Sequence, residues 1–295
     1  MIGLLARCTQ PDLKAAARSR SRCQYLEIPY SHFCELGKWS LLRAGVPFDA
    51  WSYGPGAHVL PALALRVGGE KKYVPKTSSM KSSSKGSPTS VPALVLADGD
   101  TVLVDSWAIV DFCFPESKGA DQENKGLRDF LDKEVGPLAR TCAYQFLLKP
   151  EHSALFDEFI LSTFGCTMSI AWKVCLGHLL RRRLSRLTKP TDRVHVEATR
   201  KKLRACFQTL GEKYLGKKMF FASKNGDKPG ADDICVAALV AAAVVPPNYC
   251  GGVYNHIFEK ILRGDSDMRG FVEELRATPA GQHCLMMYEN FRLND

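Results

Sequence analysis

Apolar and polar positions follow two regimes along the chain. Up to about residue 118, short apolar runs alternate with helical periods and turn residues; beyond it the spacing is helical. CQYLEI at 23–28 reads as a short buried strand that Pro29 ends. Ser31 then caps a helix predicted to run to about Arg43, with Phe33, Leu36, Trp39 and Leu42 on one face, and Gly45 stops it. VPFDAWSY reads as the next strand, so these elements predict a β-α-β unit with parallel strands. Further on, the apolar runs of VPALVLADGDTVLV flank Asp98-Gly99-Asp100, a hairpin signal. Asp105 and Ser106 follow where a helix begins, with Ile109, Val110 and Phe114 as its apolar positions.

The second regime predicts long helices. Leu127, Phe130, Leu131, Val135, Leu138, Cys142 and Phe146 form one stripe, and Leu203, Phe207, Leu210 and Tyr214 form another. KPGADDICVAALVAAAVV starts an Ala-rich apolar helix expected at the centre of a second core. The pattern predicts an α/β domain over 23–118 followed by an all-α domain over 119–295.

Charge changes this picture only at its edges. Of the formal net charge of +9, residues 1–22 supply +4 and residues 66–90 supply +5, so the rest of the chain is balanced and a nucleic-acid-binding domain is not predicted. Residues 1–22 read as a disordered basic extension or as a segment that weakly resembles an organelle transit peptide. Residues 66–90, rich in Ser, Lys and Gly, read as a mobile surface insertion. The eleven cysteines show neither metal spacing nor a disulfide framework, and several, such as Cys142, Cys175, Cys206 and Cys235, sit in apolar surroundings. A reducing compartment, the cytoplasm in the first instance, is the simpler reading. The longest apolar run, Val236 to Pro247, is about half of what a membrane-spanning helix needs, so no integral membrane segment is expected.

Four stretches, in order, resemble the glutathione transferase superfamily. They are IPYSHFCELGKWSLLRAGVPF, SVPALVLADGDTVLVDSWAIVDF, KPGADDICVAAL and VEELRATPAGQHCL, and together they cover most of residues 23–290. The resemblance implies a thioredoxin-like N-terminal domain, a helical C-terminal domain, glutathione as co-substrate, and a pocket between the domains for a hydrophobic small molecule. It also allows a homodimer. No metal is implied.

Carried over residue by residue, the resemblance makes Val91-Pro92 a cis-proline turn that offers backbone groups to an extended peptide, although the residues alone read as a trans proline opening an edge strand. Ser106 and its backbone would hold the γ-glutamyl carboxylate, with Asp105 near the amine; the residues themselves also fit a plain N-cap. Gly230 and Asp233 stand at the family's capping box, where Gly230 lacks the side-chain acceptor.

Ser31 stands where serine-type members place the hydroxyl that stabilises a glutathione thiolate, whereas omega-class members carry cysteine there. Cys34 completes an S-x-x-C pattern and is either a buried structural thiol or a redox residue. His32 reads as a solvated turn residue. His58 or Arg66 would anchor the glycyl carboxylate. The Arg181-Arg182-Arg183 run reads as a solvated helix face, with an anion or membrane-surface role as the alternative. The functional expectation is conjugation of glutathione to a hydrophobic electrophile. The alternatives are a non-catalytic interaction module and a glutathione-dependent thiol reductase using Cys34.

Overall fold

The computed structural model describes residues 12–67, 89–115, 126–162, 177–221 and 229–292. The chain divides into two compact units, residues 1–120 and 121–295.

The first unit holds strands β1 (Cys23–Glu27), β2 (Phe48–Ser52), β3 (Ala93–Val95) and β4 (Val102–Val104), in the order β2-β1-β3-β4. β1 runs parallel to β2, with Glu27 opposite Ser52, and antiparallel to β3, with Leu26 opposite Ala93. β3 pairs antiparallel with β4, with Ala93 opposite Val104. Helices α1 (Leu13–Arg20), α2 (His32–Arg43), α3 (Val59–Val67) and α4 (Ser106–Cys113) complete the unit.

Because strand side chains alternate, β1 feeds two cores. Cys23 and Tyr25 pack with Leu41, Leu94, Leu103 and Ile109, while Leu26 packs with Leu13, Ala17, Ala62, Leu65, Ala93 and Val95. Its buried polar positions are matched: Trp51 Nε1 donates to Gln24 Oε1 (2.7 Å), and Ser52 Oγ donates to Glu27 Oε1 (2.7 Å).

Two expectations change here. Residues 13–20, part of the segment expected to be disordered, form α1, capped by Asp12 and buried through Leu13 and Ala17; residues 1–11 lie outside the described residues. The arginines that suggested a basic tail have counterions, since Arg18 meets Asp100 and both Arg20 and Arg22 meet Asp49, each at 3.1 Å. On α2, Phe33 and Leu42 are only half-buried, and Cys34, Gly37 and Leu41 are buried. A Cβ on Gly37 would lie 2.7 Å from the Tyr25 hydroxyl, which donates to the Cys34 carbonyl at 2.5 Å. Of the predicted insertion, residues 68–88 lie outside the described residues, and α3 extends into its start.

The second unit is helical: α5 (Leu127–Phe130), a π-helical turn (Leu131–Val135), α6 (Gly136–Leu147), α7 (Ser153–Leu161), α8 (Gly177–Thr188), α9 (Arg193–Thr209), α10 (Ala231–Val244), α11 (Asn255–Gly264), α12 (Ser266–Ala277) and α13 (Pro279–Asn290). The π-turn shifts the first predicted stripe by one position, so Ala139, not Leu138, is buried after Val135. Gly136 N bonds Leu131 O there, five positions back, which widens the turn by one residue.

α10 is the core helix, buried at thirteen of its fourteen positions. Its small alanines let α6, α12 and α13 pack around it. Asp233, fully buried, accepts from Phe221 N (2.6 Å), Gly230 N (2.9 Å) and His283 Nε2 (2.8 Å). The half of the capping box that Gly230 cannot supply is thus offset by a buried carboxylate with three donors. No described helix is long and apolar enough to cross a membrane.

At the start of α12, Asp265 caps Met268 N and accepts from Lys149 Nζ at 2.5 Å. Burial alone would push the Asp265 carboxyl up; the lysine and the Met268 amide more than offset it and leave it below its ordinary value. Glu151, His152 and Asp265 approach one another closely enough for a cation, but Lys149 engages Asp265, and His152 Nδ1 lies 2.7 Å from Phe146 O.

Gly99 has φ +71°, and a Cβ there would lie 2.6 Å from Lys14 O of α1. Gly99→Ala is therefore expected to destabilise the first unit by about 2 kcal/mol, measured as a shift in its denaturant midpoint. Lys149→Met should destabilise the second unit by roughly 2–3 kcal/mol at neutral pH, since it leaves the Asp265 carboxylate without its counterion. In the wild type, stability from Asp265 is present above the unfolded carboxyl pKa and is lost as pH falls through the lowered folded value. In the variant burial dominates and raises that value, so its deficit should shrink as pH falls through about 4. Urea unfolding across this pH range checks the sign.

Candidate functional site

Strand register alone collects the candidate residues at one end of the sheet. Ile28 to Ser31 leave the C-terminal end of β1, and the segment 53–58 leaves the same end of the parallel β2. Because β3 is antiparallel to β1, its beginning at Ala93 lies at that end, and Val91-Pro92 precede it. β4, antiparallel again, brings Asp105 and Ser106 there as it ends. Ser31, His58, Val91, Pro92, Asp105 and Ser106 thus share one edge of the first unit.

Two helices start from this edge and pack against each other: α2, preceded by Ser31, and α4, preceded by Asp105. Their N–H groups and dipoles place partial positive charge at this edge, which favours negatively charged groups there.

The Val91-Pro92 bond is cis. The Pro92 carbonyl accepts from Asp105 N at 3.1 Å, tying the proline turn to the start of α4. Val91 lies outside the strand pairing, at the end of the sheet edge.

Asp105 is the most unusual backbone in the site. Its φ of 88° and ψ of 158° fall in a region that is essentially glycine's, costing about 1–3 kcal/mol in a residue with a side chain. Three hydrogen bonds hold it there: its amide to Pro92 O, its Oδ1 from Ala108 N (2.9 Å), and its carbonyl from Ile109 N (3.4 Å). Ser106, at the first position of α4, is buried. The sequence shows an N-cap at this point but not the strain, because nothing in the residue types D-S-W demands a positive φ.

Ser31 is half-exposed and precedes α2 without capping it. Its side chain instead hydrogen-bonds Cys34. Cys34 is wholly buried, and its sulfur also accepts from Ile28 N at 3.4 Å. Burial above all, with the charges of Glu27 and Glu35, pushes this thiol up to about 12. Cys34 is therefore a protonated interior group at neutral pH. Its burial fits the structural one of the two readings of Cys34.

His32 is buried too, with its ring 4.5 Å from that of Phe33, so the expectation of a solvated turn histidine is corrected. His58 is half-buried just before α3; Gly56 N donates to its Nδ1 at 3.2 Å, and burial lowers its pKa. Its Nδ1 also lies 3.5 Å from Gly54 O, so the loop 54–58 closes around the ring. The side chain of Arg66, the other glycyl candidate, lies outside the described residues. Sequence reading missed Glu27, a buried carboxylate beneath the α2 start that pairs with Lys38 at 3.7 Å; inside a five-residue buried strand nothing distinguishes it.

Comparison of the whole chain with solved structures gives a consistent answer. A glutathione S-transferase of Ceriporiopsis subvermispora, in complex with glutathione, superposes with a TM-score of 0.54 at 15% identity, covering 93% of this chain and 99% of that one. The chain has the glutathione S-transferase fold. A second glutathione S-transferase of the same organism, also in complex with glutathione, gives a TM-score of 0.50 at 17% identity over 92% and 99% of the two chains. No protein-family model and no curated protein sequence matches the chain. Within this fold the first unit is the thioredoxin-like part and the second the helical part, as the resemblance implies.

Folded protein treated with iodoacetamide at mildly alkaline pH should leave Cys34 unmodified, because only on the order of 10⁻⁵ of a thiol with a pKa of about 12 is thiolate at neutral pH, and it has no solvent access. Peptide mass spectrometry showing rapid Cys34 alkylation before unfolding would reverse this assignment.

Proposed function

We propose that this protein is a glutathione transferase that binds glutathione at the shared edge of the first unit and transfers its thiolate to an apolar electrophile. The observation that carries the reading is the convergence of a cis Val91-Pro92 turn, a strained Asp105 and the starts of α2 and α4 at one sheet end. Strain held in place by several hydrogen bonds is characteristic of ligand sites.

In this reading the cysteinyl backbone of glutathione pairs with Val91, and the γ-glutamyl carboxylate accepts from Ser106 and the first amides of α4. The Asp105 carboxylate attracts the amine. The thiolate lies at the start of α2, where the dipole lowers its energy and the Ser31 hydroxyl turns from Cys34 to donate to it. The His58 ring faces the glycyl end. Ser31 would act on the ligand's thiol, since the chain's own nearby thiol is protonated and buried. The electrophile, a soluble cytoplasmic location and a dimeric state belong to the same proposal.

One observation favours the non-catalytic alternative: burial lowers the His58 pKa, which weakens the positive charge it could offer the glycyl carboxylate. Affinity for glutathione decides between them.

Isothermal titration should give saturable glutathione binding that Ser106→Ala weakens roughly tenfold, the loss of one hydrogen bond to a charged group. Ser31→Ala should retain binding and lose roughly 10²-fold in conjugation of a chromogenic electrophile, the scale of removing one donor to a developing anion. No binding at millimolar glutathione would leave an interaction module on this fold.

A further inference from the structure

Helix α8 carries a feature that the transferase reading does not use. Its exposed residues Leu179, Arg182, Arg183, Arg186 and Leu187 fall at i, i+3, i+4, i+7 and i+8, so they form one stripe about 12 Å long on a single face. Leu179 is 64% and Leu187 68% exposed. These leucines are among the most exposed large apolar side chains of the described residues.

The other side of the helix is fixed. Arg181 pairs with Asp157 at 2.9 Å and lies over the Phe156 ring, and Gln145 Nε2 donates to the buried Thr188 carbonyl at 2.9 Å. The stripe therefore projects from an anchored helix. Its three arginines have no carboxylate partner among the described residues. Between 177 and 194 the sequence holds one acid, Asp192, and that side chain caps α9 through His195 N.

We propose that this face docks on an anionic phospholipid bilayer, with Arg182, Arg183 and Arg186 on lipid phosphates and Leu179 and Leu187 entering the headgroup boundary. Three observations select this occupant. The stripe is purely cationic, so it complements a negatively charged surface. A second copy of the chain is disfavoured, because a two-fold contact through this face would set arginines against arginines. Nucleic acid also offers phosphates, but its backbone gives exposed leucines nothing apolar to enter, whereas a bilayer interface accommodates both residue types. The transferase unit would then work beside a membrane, within reach of electrophiles dissolved in lipid, although the docking itself does not depend on that activity.

The test is flotation of the full-length protein with phosphatidylserine-rich vesicles and with pure phosphatidylcholine vesicles, at low and high salt. Wild-type protein should float only with the anionic vesicles, and less as salt rises. The triple variant Arg182→Glu, Arg183→Glu, Arg186→Glu should lose roughly a hundredfold in partition. Leu179→Ser with Leu187→Ser should lose a smaller part and keep the salt dependence. Since all five positions are exposed, unchanged melting temperatures will show that the variants fold. Undiminished flotation of the triple variant would assign binding to another basic segment and overturn the proposal. So would failure of the wild type to float, or arginine-dependent binding to a short DNA duplex in its place.

Discussion

The antiparallel pairing of β1 with β3, which sets Leu26 opposite Ala93, is the constraint from which the site follows. Given that register, the chain leaving β1 and the chain entering β3 must meet at one edge. The parallel β2 and antiparallel β4 then bring their own ends to it. A shift of one residue would turn Leu26 toward the α2 face and Tyr25 toward α1, exchanging the contents of two cores built for different shapes. Fold stability and site geometry are thus enforced by the same side chains.

The two units solve the burial of polar groups differently. In the first, polar residues lie under the site: Glu27 with Ser52 and Lys38, Gln24 with Trp51. In the second, one carboxylate at the head of α10 gathers the Phe221 amide, the Gly230 amide and His283, so a helix of almost entirely small and apolar residues acquires a defined start. Its end is defined by Arg276, whose guanidinium donates to the Val244 and Val245 carbonyls. Both ends of the core helix are therefore held by groups far away in sequence.

Much of this was legible in the residues. Alternation and turn chemistry give the parallel β1–β2 unit and the β3–β4 hairpin but not the pairing of β1 with β3, the Ala-rich run gives α10, and the motifs around Pro92 and Ser106 point to the edge where they meet. What escaped has physical reasons. The shift of the first stripe at Leu138 comes from a π-turn, which a fixed 3.6-residue period cannot express. The burial of His32 depends on α2 being covered on two sides, by the sheet and by α4, whereas a single amphipathic stripe assumes one. The strain at Asp105 is imposed by Pro92 and the start of α4, not by the residue's own preference. Helix α1 was hidden by its arginines, whose partners Asp49 and Asp100 lie 29 and 82 positions away.

That last feature bears on how the polypeptide can be matured. Leu13 and Ala17 fill the core beneath β1 and β3, and the α1 backbone lies against Gly99. A peptidase trimming the chain back to the first strand would remove part of the hydrophobic interior and strip Asp49 of both its arginines. The residues from Asp12 onward are thus parts of the folded unit, where Arg18, Arg20 and Arg22 act as counterions to Asp100 and Asp49.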